Sequence, residues 1–128
     1  GIVAAYHWDI LNGGFPLAAI GRETKALGIP SSLPPSVEAS TIEASTALWV
    51  EAGLKDVRTT QLTVERTFAS FDDYWSTAAS SNTLRSMFET MSAENLALVK
   101  SRVRASVKAG DGPLTMSARA NAVYGVKA

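Results

Sequence analysis

Tyr6, His7, Trp8 and Asp9 stand consecutively, and together they offer an imidazole, a carboxylate and two aromatic faces. His7 is the only histidine in the chain, so it supplies the only imidazole available for acid–base work or hydrogen bonding. A base or a substrate contact could be built from His7 or Asp9. Equally, a histidine closing a strand and an aspartate opening a turn are ordinary structural residues. The row therefore assigns no catalytic residue. Phe15, Phe71, Tyr74 and Trp75 add aromatic surface, at spacings that also suit a plain core.

The other charged groups carry less chemistry. Lys100, Arg104 and Lys108, joined by Arg102, make a basic stripe at helical spacing. Such a stripe reads either as a phosphate surface or as the solvated back of an amphipathic helix. Twelve basic and twelve acidic side chains cancel across the chain, so no global field favours nucleic acid, and the solvated reading is preferred. Glu38, Glu43 and Glu51 have no histidine near them in sequence, so no metal site is expected. Met87 and Met91, one helical turn apart, read as core filler.

A chain of 128 residues with 46% hydrophobic and 19% charged side chains has the size and composition of a single packed domain spanning 1–128. It contains no cysteine, which excludes disulfides and thiol catalysis and fits a reducing, cytoplasmic setting. No apolar run reaches the length of a membrane span, so no membrane partner is expected. The opening at Gly1 rather than Met is compatible with a preceding segment.

The elements that position these residues follow from periodicity. Ile2 to Trp8 is nearly continuous apolar sequence rich in β-branched and aromatic residues, the pattern of a strand buried on both faces. Pro16 opens a helix carrying Leu17, Ile20, Thr24 and Leu27, which Gly28 and Pro30 stop. A second helix runs from beyond Pro35 to about Ala52, with Ala39, Ile42, Thr46 and Trp49 on one face and Gly53 as its cap. Val57 to Phe68 is a strand. Residues 70–110 are helical, with Ser70 and Ser92 as caps. From Leu114 the chain alternates, with Met116, Ala118, Ala120, Ala122, Tyr124 and Val126 on one side. The other side is polar except for Val123.

That order, with these joints, resembles the second half of the UbiE-like (type 11) class I S-adenosylmethionine-dependent methyltransferases. Gly1 followed by Ile2–Tyr6 and His7-Trp8-Asp9 is similar to the family's fifth strand, which often ends in Trp-Asp. Gly13-Gly14-Phe15-Pro16 is typical of one branch. Glu51 to Val57, reading EAGLKDV, resembles the join between fifth helix and sixth strand. Thr67 to Trp75 resembles the start of the helical insertion before the seventh strand, and Asp111-Gly112-Pro113-Leu114 through Gly125 that strand itself.

The resemblance covers essentially the whole chain and implies an α/β fold: the C-terminal half of a Rossmann-like methyltransferase. It implies a three-stranded mixed or antiparallel sheet with the last strand central and four to five helices. Residues 70–110 would be a substrate lid over a small-molecule methyl acceptor. Tyr6, His7, Trp8, Asp9, Phe15, Tyr74 and Trp75 would then be substrate contacts. Tyr74 and Trp75, being adjacent, are expected to face different ways, so that one reaches the pocket. The glycine-rich loop and the acidic residue that hold S-adenosylmethionine in such a fold have no counterpart here, so this chain alone is expected to bind no cofactor. Its first strand would be left as an open edge, which implies a homo-oligomer formed through that strand. A reading from a different class is an autonomous α+β module that binds an apolar ligand or a protein without catalysis.

Overall fold

A computed structural model describes residues 1–31 and 33–128. The chain is α/β, with a three-stranded antiparallel sheet and, among the described residues, five α-helices and two short 3-10 turns. The strands are β1 (Ile2–Trp8), β2 (Lys55–Phe68) and β3 (Leu114–Val126). The helices are α1 (Ala18–Ala26), α2 (Ile42–Glu51), α3 (Phe71–Ala79), α4 (Asn82–Thr90) and α5 (Ala93–Ser106). The sheet order is β1-β3-β2, so the strand that comes last in sequence lies in the middle. β1 and β2 both run antiparallel to it and hence parallel to each other.

The residues group into two compact units. The first comprises Gly1–Pro16, Leu33–Val64 and Ser117–Ala128. In it β1 pairs with β3 in a register that sets Ile2 opposite Val126, His7 opposite Asn121 and Trp8 opposite Ala120. Residues directly opposite in an antiparallel pair share a face. Ile2, Ala4, Tyr6 and Trp8 therefore lie on one face with Val126, Tyr124, Ala122 and Ala120, and Val3, Ala5 and His7 lie on the other with Gly125, Val123 and Asn121. The second face is the covered one. Val123 and Asn121 are buried there, and the Asn121 amide donates to the carbonyl of Ser40 in the 3-10 turn Val37–Ser40, at 2.9 Å. On the first face Ile2 and Tyr6 are each 76% exposed, and Leu62, Val64 and Tyr124 are also open.

This corrects the doubly buried strand expected from Ile2–Trp8: among the described residues no helix covers its apolar face and no strand pairs with its outer edge. The second helix also differs from its expected extent. Thr41 adopts an extended conformation between the 3-10 turn and α2, and its hydroxyl accepts from the Ala44 N–H at 3.1 Å. A threonine in that conformation caps a new helix instead of continuing an old one.

The second unit comprises residues 17–31 and Glu65–Met116. Its core is one cluster: Ala19 and Ile20 from α1, Phe68, Phe71, Tyr74, Trp75 and Ala78, Leu84 and Phe88 from α4, Val99 and Val103 from α5, and Leu114. Helices α3, α4 and α5 each begin at a serine whose hydroxyl accepts from a backbone N–H one turn on: Ser70 from Asp73, Ser81 from Leu84 and Ser92 from Asn95. Each cap of this kind is worth about 1 kcal/mol. α5 ends at Lys108 in the left-handed conformation (φ 54°), and the next N–H, of Ala109, reaches back to the Arg104 carbonyl at 3.1 Å.

Candidate functional site

The polar residues of the first unit converge where β1 ends. Asp9 extends the ladder by one residue, its N–H donating to the Arg119 carbonyl at 2.9 Å. The chain then makes the 3-10 turn Ile10–Asn12, takes a left-handed step at Gly13 (φ 77°) and folds back. Gly14 donates to the Asp9 carbonyl at 2.8 Å and accepts from the Arg119 N–H at 2.9 Å. A Cβ at Gly14 would lie 2.6 Å from the Arg119 carbonyl oxygen and 2.9 Å from the Asp9 Cβ, so only glycine fits.

The Asp9 carboxylate sits inside this turn, 1% exposed. Arg119 donates to its Oδ2 through Nε at 3.0 Å and Nη2 at 2.9 Å, and Asn12 Nδ2 donates to Oδ1 at 3.0 Å. Arg119 Nη2 also reaches the Asn12 carbonyl at 2.8 Å. Burial pushes the Asp9 pKa up. Hydrogen bonds from Asn12, Arg119 and Asn121, with the guanidinium charge, more than reverse this and hold it below the usual carboxylate range. Asp9 is thus ionised and engaged at both oxygens. That arrangement locks a turn; it does not leave a carboxylate ready to take a proton.

One row further along the same face lie Gln61, Asn121 and His7. Asn121 Oδ1 accepts from Gln61 Nε2 at 3.1 Å while its amide holds Ser40, so both ends of this buried side chain are satisfied. His7 faces Asn121 across the ladder, and its Nε2 is buried without a partner. Trp8 and Phe15 are half-buried, and Trp8 lies with the exposed Tyr6 on the face opposite His7.

Tyr74 and Trp75 belong to the second unit, and both are core. Tyr74 meets Phe68 edge-on with centroids 5.3 Å apart and Phe71 at 6.0 Å, while Trp75 stacks on Phe88 at 5.2 Å. Adjacent residues do diverge around the helix, as expected, but each divergent side meets aromatic packing. The Tyr74 hydroxyl is buried without a partner; burial pushes its pKa up, against a smaller opposing effect of the Arg22 charge.

No protein-family model matches this chain, and no curated protein matches it. The site is therefore read from its own residues.

Tyr6, His7, Trp8 and Asp9 follow one another at the carboxyl end of β1, but Tyr6 and Trp8 lie on the face opposite His7. Arg119, Asn121, Gly14 and Ser40 complete the layer of His7 and Asp9 without having stood out in the sequence. Arg119 and Asn121 sit on the polar side of β3, and only Val123 beside them signalled that this side is covered. Two members of the basic stripe, Lys100 and Arg104, make local contacts. Lys100 pairs with Asp72 at 3.0 Å, and Arg104 pairs with Asp111 at 3.3 Å while lying 5.5 Å from the Phe71 ring centroid. Among the described residues no three acidic or histidine side chains are grouped as a metal ion needs, and no helix is long and apolar enough to cross a membrane.

Proposed function

We propose that this chain is the substrate-side portion of a Rossmann-like S-adenosylmethionine-dependent methyltransferase acting on a small molecule. One observation carries the reading: a late strand placed centrally between two strands that run parallel to each other. A β-α-β unit whose gap is filled by a returning antiparallel strand is the arrangement that the joints at Asp9, Gly53-Leu54 and Asp111-Gly112 imply. The helical stretch from Phe71 to Ser106, built around its own aromatic core, fits the insertion that follows the sixth strand in such enzymes.

Methyl transfer from a sulfonium is a displacement in which positioning does most of the work. The reading needs no general base from this chain, and Asp9 is spent on Arg119. The acceptor contacts it assigns are Tyr6, His7, Trp8 and Phe15 at the carboxyl end of β1, where ligands of such sheets sit. S-adenosylmethionine would be held elsewhere, by a glycine-rich loop and an acidic residue that this sequence does not contain. The absence of cysteine suits a cytoplasmic enzyme.

Calorimetric titration with S-adenosylhomocysteine tests the cofactor part of the reading. No saturable heat is expected at millimolar ligand, and clear saturation would overturn that part. The reading frame upstream of Gly1 tests the rest. A glycine-rich turn following a strand is expected there; an initiator methionine next to Gly1 would favour the autonomous binding module.

A further inference from the structure

Asn12-Gly13, in the turn that follows β1, is the chain's single Asn-Gly step. Glycine has no Cβ to crowd its own nitrogen, so a preceding asparagine amide can reach that nitrogen as it can before no other residue. Both residues are exposed, and the space beside the Gly13 Cα is open. Asn82, Asn95 and Asn121 are followed by threonine, leucine and alanine, and they lie within α4, α5 and β3. Asn121 is in addition bonded at both ends of its amide.

The surroundings favour attack by the Gly13 nitrogen on the Asn12 side chain. The Asn12 carbonyl and the Gly13 N–H belong to one peptide group, and that carbonyl accepts from Arg119 Nη2 at 2.8 Å. Once Gly13 loses its proton, the negative charge is shared between its nitrogen and the Asn12 carbonyl oxygen. A guanidinium on that oxygen stabilises the anion. The bond that holds the Gly13 proton is a long one, to the Ile10 carbonyl at 3.2 Å. The group under attack is the same amide whose Nδ2 donates to Asp9 Oδ1 at 3.0 Å.

We propose that Asn12 is a site of spontaneous deamidation, and that the reaction unfastens the Asp9 turn. Hydroxide takes the Gly13 proton and the nitrogen bonds to Asn12 Cγ. The Cγ–Nδ2 bond breaks, and ammonia leaves with a proton from water. Water then opens the succinimide at either carbonyl, giving aspartate or isoaspartate; in sum one water is consumed and one ammonia released. Both products replace the donor at Asp9 Oδ1 by an anion, so that two carboxylates share one arginine. Isoaspartate also routes the main chain through Cβ. The lengthened backbone cannot repeat the return at Gly14, where even a Cβ would stand 2.6 Å from the Arg119 carbonyl oxygen. The site stands apart from the methyltransferase reading.

Ageing the whole folded chain in warm, mildly alkaline buffer and mapping its peptides by mass spectrometry tests the proposal. The amide should be lost at Asn12 before any loss at Asn82, Asn95 or Asn121, with isoaspartate among the products. Asn12→Gln, whose longer side chain closes a ring far less readily, should remove the early loss. Asn12→Asp builds one product directly and should lower the urea midpoint of unfolding. Asn12→Ser removes the amide without adding a charge and should lower it less. Retention of the Asn12 amide in the folded chain after the chain unfolded in guanidinium chloride has converted overturns the proposal. So does an Asn12→Asp chain as stable as wild type.

Discussion

Replacing Arg119 with methionine isolates the charge held inside the Asp9 turn. The substitution keeps much of the side-chain volume but removes two hydrogen bonds to Asp9 Oδ2 and one to the Asn12 carbonyl, stranding a carboxylate that is 1% exposed. Breaking a buried pair from one side costs about 3–5 kcal/mol. Arg119 is itself one-third exposed, so screening places the expected cost at the lower end, about 3 kcal/mol. For a chain of this size that lowers Tm by roughly 12 °C. Asp9→Asn in the same background removes the stranded charge and should recover about 1–2 kcal/mol, a coupling read from a double-mutant cycle in urea.

The pH dependence has a definite sign. In the native chain Asp9 is held below its unfolded value, so its contribution is present above about pH 4 and is lost as the pH falls through the folded pKa. Without Arg119 two of the effects that lower the Asp9 pKa are lost while burial still raises it, so the folded pKa moves up and the stability lost on acidification shrinks. The gap between wild type and Arg119→Met should therefore narrow on acidification from pH 7. A gap under about 0.5 kcal/mol at pH 7, or one unchanged with pH, would refute the assignment of Asp9 as a paired, structural carboxylate.

Gly14→Ala forces a methyl group against the Arg119 carbonyl and should cost about 2–3 kcal/mol in urea unfolding, where most surface glycine-to-alanine changes cost little. Lys108→Gly relieves a left-handed lysine at the end of α5 and should raise stability by about 1 kcal/mol, measured by thermal melting. Tyr74→Phe deletes a buried hydroxyl with no partner and should be neutral or stabilising by up to about 1 kcal/mol; a loss of more than that would reveal a partner for the hydroxyl.

The elements were largely legible because they depend on local rules. Serine caps, Gly28 and Gly53 as helix stops, and the alternation from Leu114 to Val126 all act within a few residues. The central position of β3 came from resemblance, since no local signal says which strand lies in the middle. What stayed hidden depends on partners remote in sequence. Arg119 looks like any solvent-facing residue of an alternating strand until Asp9, 110 residues away, is set beneath it. Thr41 looked like helix interior because apolar spacing continues through it, while its capping hydroxyl competes locally. Tyr74 and Trp75 were read as diverging. Periodicity could not show that each direction would meet aromatic packing, Phe68 against Tyr74, Phe88 against Trp75 and Phe71 near both.

The central placement of β3 also orders events in time. On a ribosome β1 and β2 emerge first, and neither bonds to the other: each waits for residues 117–126, which are translated after both. Pairings such as Ile2 with Val126 bridge more than a hundred residues of chain, about 124, a long-range contact of the kind that slows assembly. Until then the uncharged Ile2–Trp8 segment stands unpaired on both edges. An apolar, uncharged segment with both edges open is the kind of nascent sequence that aggregates unless it is shielded.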